Sequence, residues 1–166
     1  MRIIIAFSTL FLLIKVCSAQ EIQWNQDHSI GLVPAKNWKK DSDPNKFRFE
    51  LKSLLANPPF KGSIEIITAP SRNKSLNELW EIYVTEDFPK VINGFAKIDE
   101  GVSVVASKNA NWIEFYTTDY NILFQMLTVC FVNDNTLFII TCTSVPKHHD
   151  KVEDEFWQMI ETITLK

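Results

Sequence analysis

The strongest hydrophobic pattern lies toward the C-terminus. Leu123 to Val132 reads Leu-Phe-Gln-Met-Leu-Thr-Val-Cys-Phe-Val, and Thr136 to Ser144 reads Thr-Leu-Phe-Ile-Ile-Thr-Cys-Thr-Ser, with Asn133-Asp134-Asn135 between them. β-Branched and aromatic residues on both sides of a short Asn/Asp cluster predict a β-hairpin. Neither run alternates cleanly between apolar and polar, so both faces of the hairpin should be covered. Upstream, Gln20 to Ser29 is polar and expected to be loose. Ile30 to Pro34, followed by Asn37-Trp38, reads as a short strand ending at a turn, and Lys39 to Asn45 as a solvated loop. Phe47 and Phe49 alternate with Arg48 and Glu50, a half-buried strand. Leu54 to Lys61, with Asn57-Pro58-Pro59, predicts a loop or irregular edge, and Gly62 to Ala69 a core strand stopped by Pro70.

Two helices complete the pattern. Ser75 and Glu78 have the spacing of a capping box, in which each side chain satisfies a backbone N–H of the other residue. Leu76, Leu79, Trp80 and Tyr83 then form one apolar stripe, and Pro89 is expected to end or kink this helix. Asn93-Gly94 and Glu100-Gly101 are turn signals, with strands over Val102 to Ser107 and Asn111 to Thr117. The last helix is expected to start near Asp150, with Glu153 repeating the cap-and-acid spacing. Val152, Phe156, Met159, Ile160 and Ile163 lie on one of its sides. Strands, a helix, more strands and a closing helix describe an α+β domain with an antiparallel sheet.

Of the 166 residues, the first nineteen read as a signal peptide: Arg2, a largely apolar run from Ile3 to Ile14, then Cys17-Ser18-Ala19 before Gln20. The run is shorter than the about 20 apolar residues that span a bilayer. Residues 20–29 then form a flexible N-terminal segment and 30–166 a single domain. A domain of this length buries roughly 68–70% of its unfolded surface without disulfides or metals. Cleavage between Ala19 and Gln20 leaves 15 basic against 20 acidic residues, which argues against a nucleic-acid surface or a polybasic membrane patch. Cys17 offers a second reading as a lipidated N-terminus, although Lys15-Val16 precede it where bacterial lipoproteins carry a small residue. The remaining cysteines, Cys130 and Cys142, are expected to be buried free thiols. With a turn centred on Asp134-Asn135, Val132 opposes Leu137 and Cys130 opposes Ile139, which puts Cys142 further along and on the other face.

Candidate chemistry is sparse. Lys147-His148-His149-Asp150 with Glu153 and Asp154 is the most suggestive cluster, and His148, His149 and Glu153 are its candidate metal ligands. The competing reading is an exposed loop running into a capped helix, because adjacent histidines rarely converge on one ion. Ser63 and Ser103 follow glycines but open strands, not the helix a nucleophile elbow requires. Cys130 sits mid-strand, where a thiol is inert packing. With four glycines in the chain, no phosphate-cradling loop is visible. Trp80 fits a core stripe, Trp157 falls beside one, and Trp24 and Trp38 flank polar segments. Asn73-Lys74-Ser75 is a glycosylation sequon only in a eukaryotic secretory pathway.

The order of parts resembles the PsbP-like family. The similarity rests on Ile30 to Trp38, Ser63 to Ile67 before the Ser75–Tyr83 helix, Asn111 to Tyr116, and above all Met126 to Leu165. That last stretch has the hairpin, the Thr143-Ser-Val-Pro146 exit and a helix closing on Phe156-Trp-Gln-Met-Ile160-Glu-Thr-Ile163. The resemblance implies an α/β/α sandwich with a central antiparallel sheet of about six strands flanked by helices. It also implies a non-enzymatic accessory or protein-interaction role with an unidentified protein partner and no cofactor. The expected molecule is a monomer that binds no nucleic acid, has no membrane span after cleavage, and is periplasmic or secreted. A small metal-binding envelope protein and an unrecognised hydrolase with a carboxylate pair are the alternatives. Mass spectrometry of the mature protein should find Gln20 at the N-terminus; a chain beginning with diacylated Cys17 would show lipid anchoring instead.

Overall fold

Ten strands form two antiparallel sheets in a computed structural model that describes residues 21–52 and 60–166. The expected signal peptide, with Cys17, Ala19 and Gln20, and the Asn57-Pro58-Pro59 segment lie outside the described residues. The chain begins with β1 (Gln23–Trp24), β2 (Ile30–Leu32), β3 (Lys39–Lys40), β4 (Phe47–Lys52) and β5 (Phe60–Pro70). A helical segment follows: α1 (Leu76–Trp80), a π-helical stretch over Glu81–Asp87, and α2 (Phe88–Val91). Then come β6 (Ala96–Val105), β7 (Lys108–Asp119), β8 (Ile122–Asn133), β9 (Thr136–Ser144), α3 (Pro146–Glu161) and β10 (Thr164–Leu165).

The large sheet has seven strands in the order β3-β4-β5-β9-β8-β7-β6, and the small one has the order β1-β2-β10. The expected hairpin is its middle. A two-residue turn at Asp134-Asn135 joins β8 to β9, with Val132 opposite Leu137 and Cys130 opposite Ile139. The large sheet thus has one strand more than the about six implied by the resemblance, and one edge is the short strand β3, which pairs Lys39 with Glu50 and Lys40 with Phe49. Residues 20–29 were expected to be loose, yet Gln23 and Trp24 pair with Leu32 and Gly31 of β2.

Side-chain alternation gives the large sheet two distinct faces. On one, Ile64, Ile66, Val129, Phe131, Ile140 and Cys142 are buried against the α3 stripe of Val152, Phe156, Met159 and Ile160. Trp38 packs edge-on against Phe156 at 5.6 Å and donates its indole N–H to the Glu155 carboxylate. Each of these large side chains, fully buried, contributes roughly 1.5–3 kcal/mol of transfer free energy. On the other face, Leu79 meets Cys130 and Leu137, with Leu76, Trp80 and Tyr83 packed beside them. Phe88, Phe95 and Phe115 extend this cover as a ring cluster with centroids 5.2–6.1 Å apart. The two flanking layers and the antiparallel sheet are the expected α+β sandwich.

Four local expectations need correction. The capping box at Ser75 and Glu78 is present, but Pro89 does not end the helix. In an α-helix its ring would clash with the Thr85 carbonyl four residues back; the π stretch instead hydrogen-bonds the Phe88 N–H to the Tyr83 oxygen, five back, and the chain stays helical to Val91. The last helix begins at Pro146, four residues before Asp150. Pro at the first helical position needs no N–H partner and holds Val145 extended, so no side-chain cap is required. Glu100-Gly101 is not a turn: both residues lie within β6, and a Cβ on Gly101 would sit 2.8 Å from the Trp112 ring packed over it. Finally, the expected core strand Gly62 to Ala69 is not buried throughout: Ile67 is 52% exposed because alternation points it away from Ile64 and Ile66.

Cys130 and Cys142 are free, buried and on opposite faces. Burial pushes the Cys130 thiol up to about 12 and the Cys142 thiol well above its ordinary value. Neither thiol should react with Ellman's reagent in the native state at pH 8, and both should react after urea unfolding; a native thiol reacting at the unfolded rate would contradict this packing.

Candidate functional site

The expected metal cluster divides between surface and interior. Because α3 starts at Pro146, His148 and His149 both lie in its first turn, about 100° apart around the axis. His149 is 1% exposed and points at the sheet. Glu153 approaches His149 Nε2 only to 4.0 Å. Among the described residues no group of three or more His, Cys, Asp or Glu side chains is placed to hold a metal ion.

What His149 joins instead is a buried polar network. Its Nδ1 lies 2.8 Å from the Ser144 hydroxyl, at the inward-facing end of β9. Its Nε2 lies 2.7 Å from Glu114 Oε1 on β7, a close approach without the alignment of a hydrogen bond. Gln125 of β8 donates to the same Glu114 oxygen at 2.8 Å. The network thus ties three strands to the first turn of α3, and its two hydrogen bonds, Ser144 with His149 Nδ1 and Gln125 with Glu114, satisfy polar groups whose burial unpaired would cost about 1–3 kcal/mol each. Ser, His and acid are the types of a nucleophilic triad. Here, however, Ser144 is 0% exposed beneath the helix, so no substrate carbonyl can approach its oxygen. The sequence signal was present but hidden: His149 continues the Val152–Phe156 stripe by one turn, visible only once the helix is extended back to Pro146.

The open feature is on the opposite face, where the helical segment stops short of β4, β5 and β9. A cleft of about 680 Å³ remains there. Its floor runs across the register rows Ser63–Thr143–Met126 and Thr117–Phe124. Val91, Ile92 and Asn93 form one wall, and Arg48 with Glu65 the other. Arg48 is held by two carboxylates, Glu50 at 3.1 Å and Glu65 at 3.7 Å. The first wall is pinned to β7: Asn93 oxygen accepts from the Thr118 N–H at 2.8 Å and the Thr117 hydroxyl at 3.0 Å. Gly94 makes the turn beside it at φ +68°, with Thr118 Oγ1 3.0 Å from where a Cβ would be. At the mouth, Val91 is 76% exposed and Ile122 40%, two aliphatic side chains open to solvent beside the cleft. A floor of Phe124 and Met126 among threonine hydroxyls suits an apolar group carrying a few hydrogen-bonding atoms.

No protein-family model matches this chain, and no curated protein matches it significantly. Solved structures do. Cyanobacterial PsbP (CyanoP) from Synechocystis aligns with a TM-score of 0.59 at 9% identity, covering 88% of this chain and 92% of that one. The fold is PsbP-like. A protein of unknown function from Pseudomonas aeruginosa, PA94, aligns with this chain at a TM-score of 0.63 and 14% identity, covering 88% of this chain and 96% of its own. LpqN of Mycobacterium tuberculosis, described as involved in cell envelope biogenesis, aligns at 0.61 and 13% identity, over 88% and 90% of the two chains. At such identities the likeness is one of fold.

The buried network should show in stability. H149F would leave both the Ser144 hydroxyl and the Glu114 carboxylate without their imidazole and cost about 2–4 kcal/mol, whereas S144A would remove one neutral bond for about 1 kcal/mol. Urea unfolding midpoints measure the two; equal, negligible effects would mean the network contributes nothing to the docking of α3.

Proposed function

We propose that the protein is an exported, non-enzymatic accessory module of PsbP-like type that works by binding a protein partner in the cleft between α2 and the β4–β5 edge. One observation supports this most directly: Val91 and Ile122 stand exposed at the mouth of a cleft whose floor combines Phe124 and Met126 with threonine hydroxyls. Exposed aliphatic side chains beside a concave, partly polar floor suit a recognition surface. The non-enzymatic reading is supported by the enclosure of Ser144 and His149.

Export is supported by the Arg2, Ile3–Ile14 and Ala19-Gln20 pattern, and no helix among the described residues is long and apolar enough to cross a membrane. That LpqN, which shares the fold, is described as involved in cell envelope biogenesis accords with an envelope or extracellular setting. Partners differ among proteins of one fold, so the identity of this partner follows from the cleft's chemistry and not from the architecture.

A photo-crosslinking amino acid placed at Ile122 or Val91 should trap a discrete protein adduct in the native envelope, while the same group at Asp154, on the exposed side of α3, should not. Identical adduct patterns from both faces would sink the cleft as the binding surface.

A further inference from the structure

The cleft between α2 and the β4–β5 edge carries a carboxylate at each end. Among the described residues that line it, three are charged: Arg48, Glu65 and Asp119, with no lysine among them. Arg48 is already committed within the chain, to Glu50 at 3.1 Å and more loosely to Glu65 at 3.7 Å. Asp119 is exposed and forms no ion pair among the described residues. It stands directly opposite Ile122 in the closing pair of the β7–β8 hairpin, so a carboxylate and an open aliphatic side chain share one rim.

The strand registers set the distance between the two acids. Glu65 shares a cross-strand row with Thr141, Thr128 and Ile113, whereas Asp119 lies six positions further along β7 than Ile113. With about 3.4 Å per residue along a strand and about 4.8 Å between neighbouring strands, the acids stand roughly 25 Å apart on the diagonal of the floor. Phe124 and Met126 occupy the middle of that diagonal, beside the hydroxyls of Ser63, Thr117 and Thr143. Acid, apolar floor and acid therefore follow one another along the cleft.

We infer that the occupant is an extended protein segment with a basic residue at each end of an apolar stretch, about eight residues in all at the rise of an extended chain. This rests on the cleft being the protein-binding surface, and charge complementarity carries it further. A lysine or arginine beside Ile122 meets Asp119, and a second one meets Glu65. The apolar residues between them lie on Phe124 and Met126, and the hydroxyls bond peptide groups along the way. An acidic segment would be repelled at both ends, since the charge of Arg48 is already engaged. Charges on an open rim are screened by salt, so they select the partner and speed its encounter more than they hold it.

Two peptides with blocked ends and one apolar core, KGLTFLGK and EGLTFLGE, test this in NMR titrations of the isotope-labelled mature protein. The basic peptide should shift the amide signals of Val91, Asp119 and Ile122 and bind about tenfold more tightly than the acidic one. D119K should erase that preference; the site is exposed, and circular dichroism verifies the fold. In the native envelope, saturating KGLTFLGK should also suppress the adduct formed by a photo-crosslinking group at Val91. Equal or tighter binding of the acidic peptide, no cleft shifts with either peptide, or a preference unchanged by D119K overturns the inference. So does a Val91 adduct that persists undiminished under the basic peptide, an outcome that leaves the cleft as the binding surface for a different occupant. Absence of adducts at both Val91 and Ile122 overturns the cleft reading and this inference together.

Discussion

Register in the β8–β9 hairpin is the constraint on which the rest of the structure depends. Asp134, at φ 52°, helps close a two-residue turn that fixes every pairing from Asn133–Thr136 to Gln125–Ser144. Because strand side chains alternate, a slip of one residue would exchange the faces along the whole strand. Cys142 would leave the α3 core, Cys130 would leave the contact with Leu79, and Ser144 would turn away from His149. The same register points Thr143 and Met126 into the cleft while Ser144 and Gln125 enter the buried network. Two features on opposite sides of the sheet are thus set by one turn.

The sheet's faces are covered unequally, and the inequality creates the candidate site. α3 runs sixteen residues, offering four turns of apolar stripe to its face. The opposing segment is broken into α1, a π stretch and α2, and ends at Val91. Its aromatic end, Phe88 with Phe95 and Phe115, seals only β6 and β7. Beyond that seal the sheet surface is left with small hydroxyl residues, Ser63, Thr141 and Thr143, where an aliphatic row would be expected under a helix. These threonines and serine fit a surface that meets water or a ligand, and their placement agrees with the geometry of the uncovered half.

Much of the fold was legible because it is encoded locally. The hairpin register, the capping box at Ser75 and the Val152–Ile163 stripe each depend on residues a few positions apart. The misreadings share a different cause. Asp150 reads as the helix start because the Asp150–Glu153 spacing is a familiar cap signal, whereas a proline at the first helical position gives a quieter one, and a start at Asp150 leaves His149 in a loop. Gly101 read as a turn because the reason for it, the Trp112 ring on the neighbouring strand, is eleven residues away. The cleft was not legible at all: Arg48, Ser63, Thr117, Phe124 and Thr143 come from five strands, and no spacing in the chain announces their convergence.

The small sheet carries a consequence for timing. β2 bonds on one side to its neighbour β1 and on the other to Thr164 and Leu165, while the Val33 N–H is held by Thr162 and the Lys166 N–H by Ser29. The outer side of β2 therefore closes only when Thr164 and Leu165, more than 130 positions along the chain, reach it. Closure of so long a loop is slow and nonlocal, which makes β10 the late-fitting latch of the small sheet.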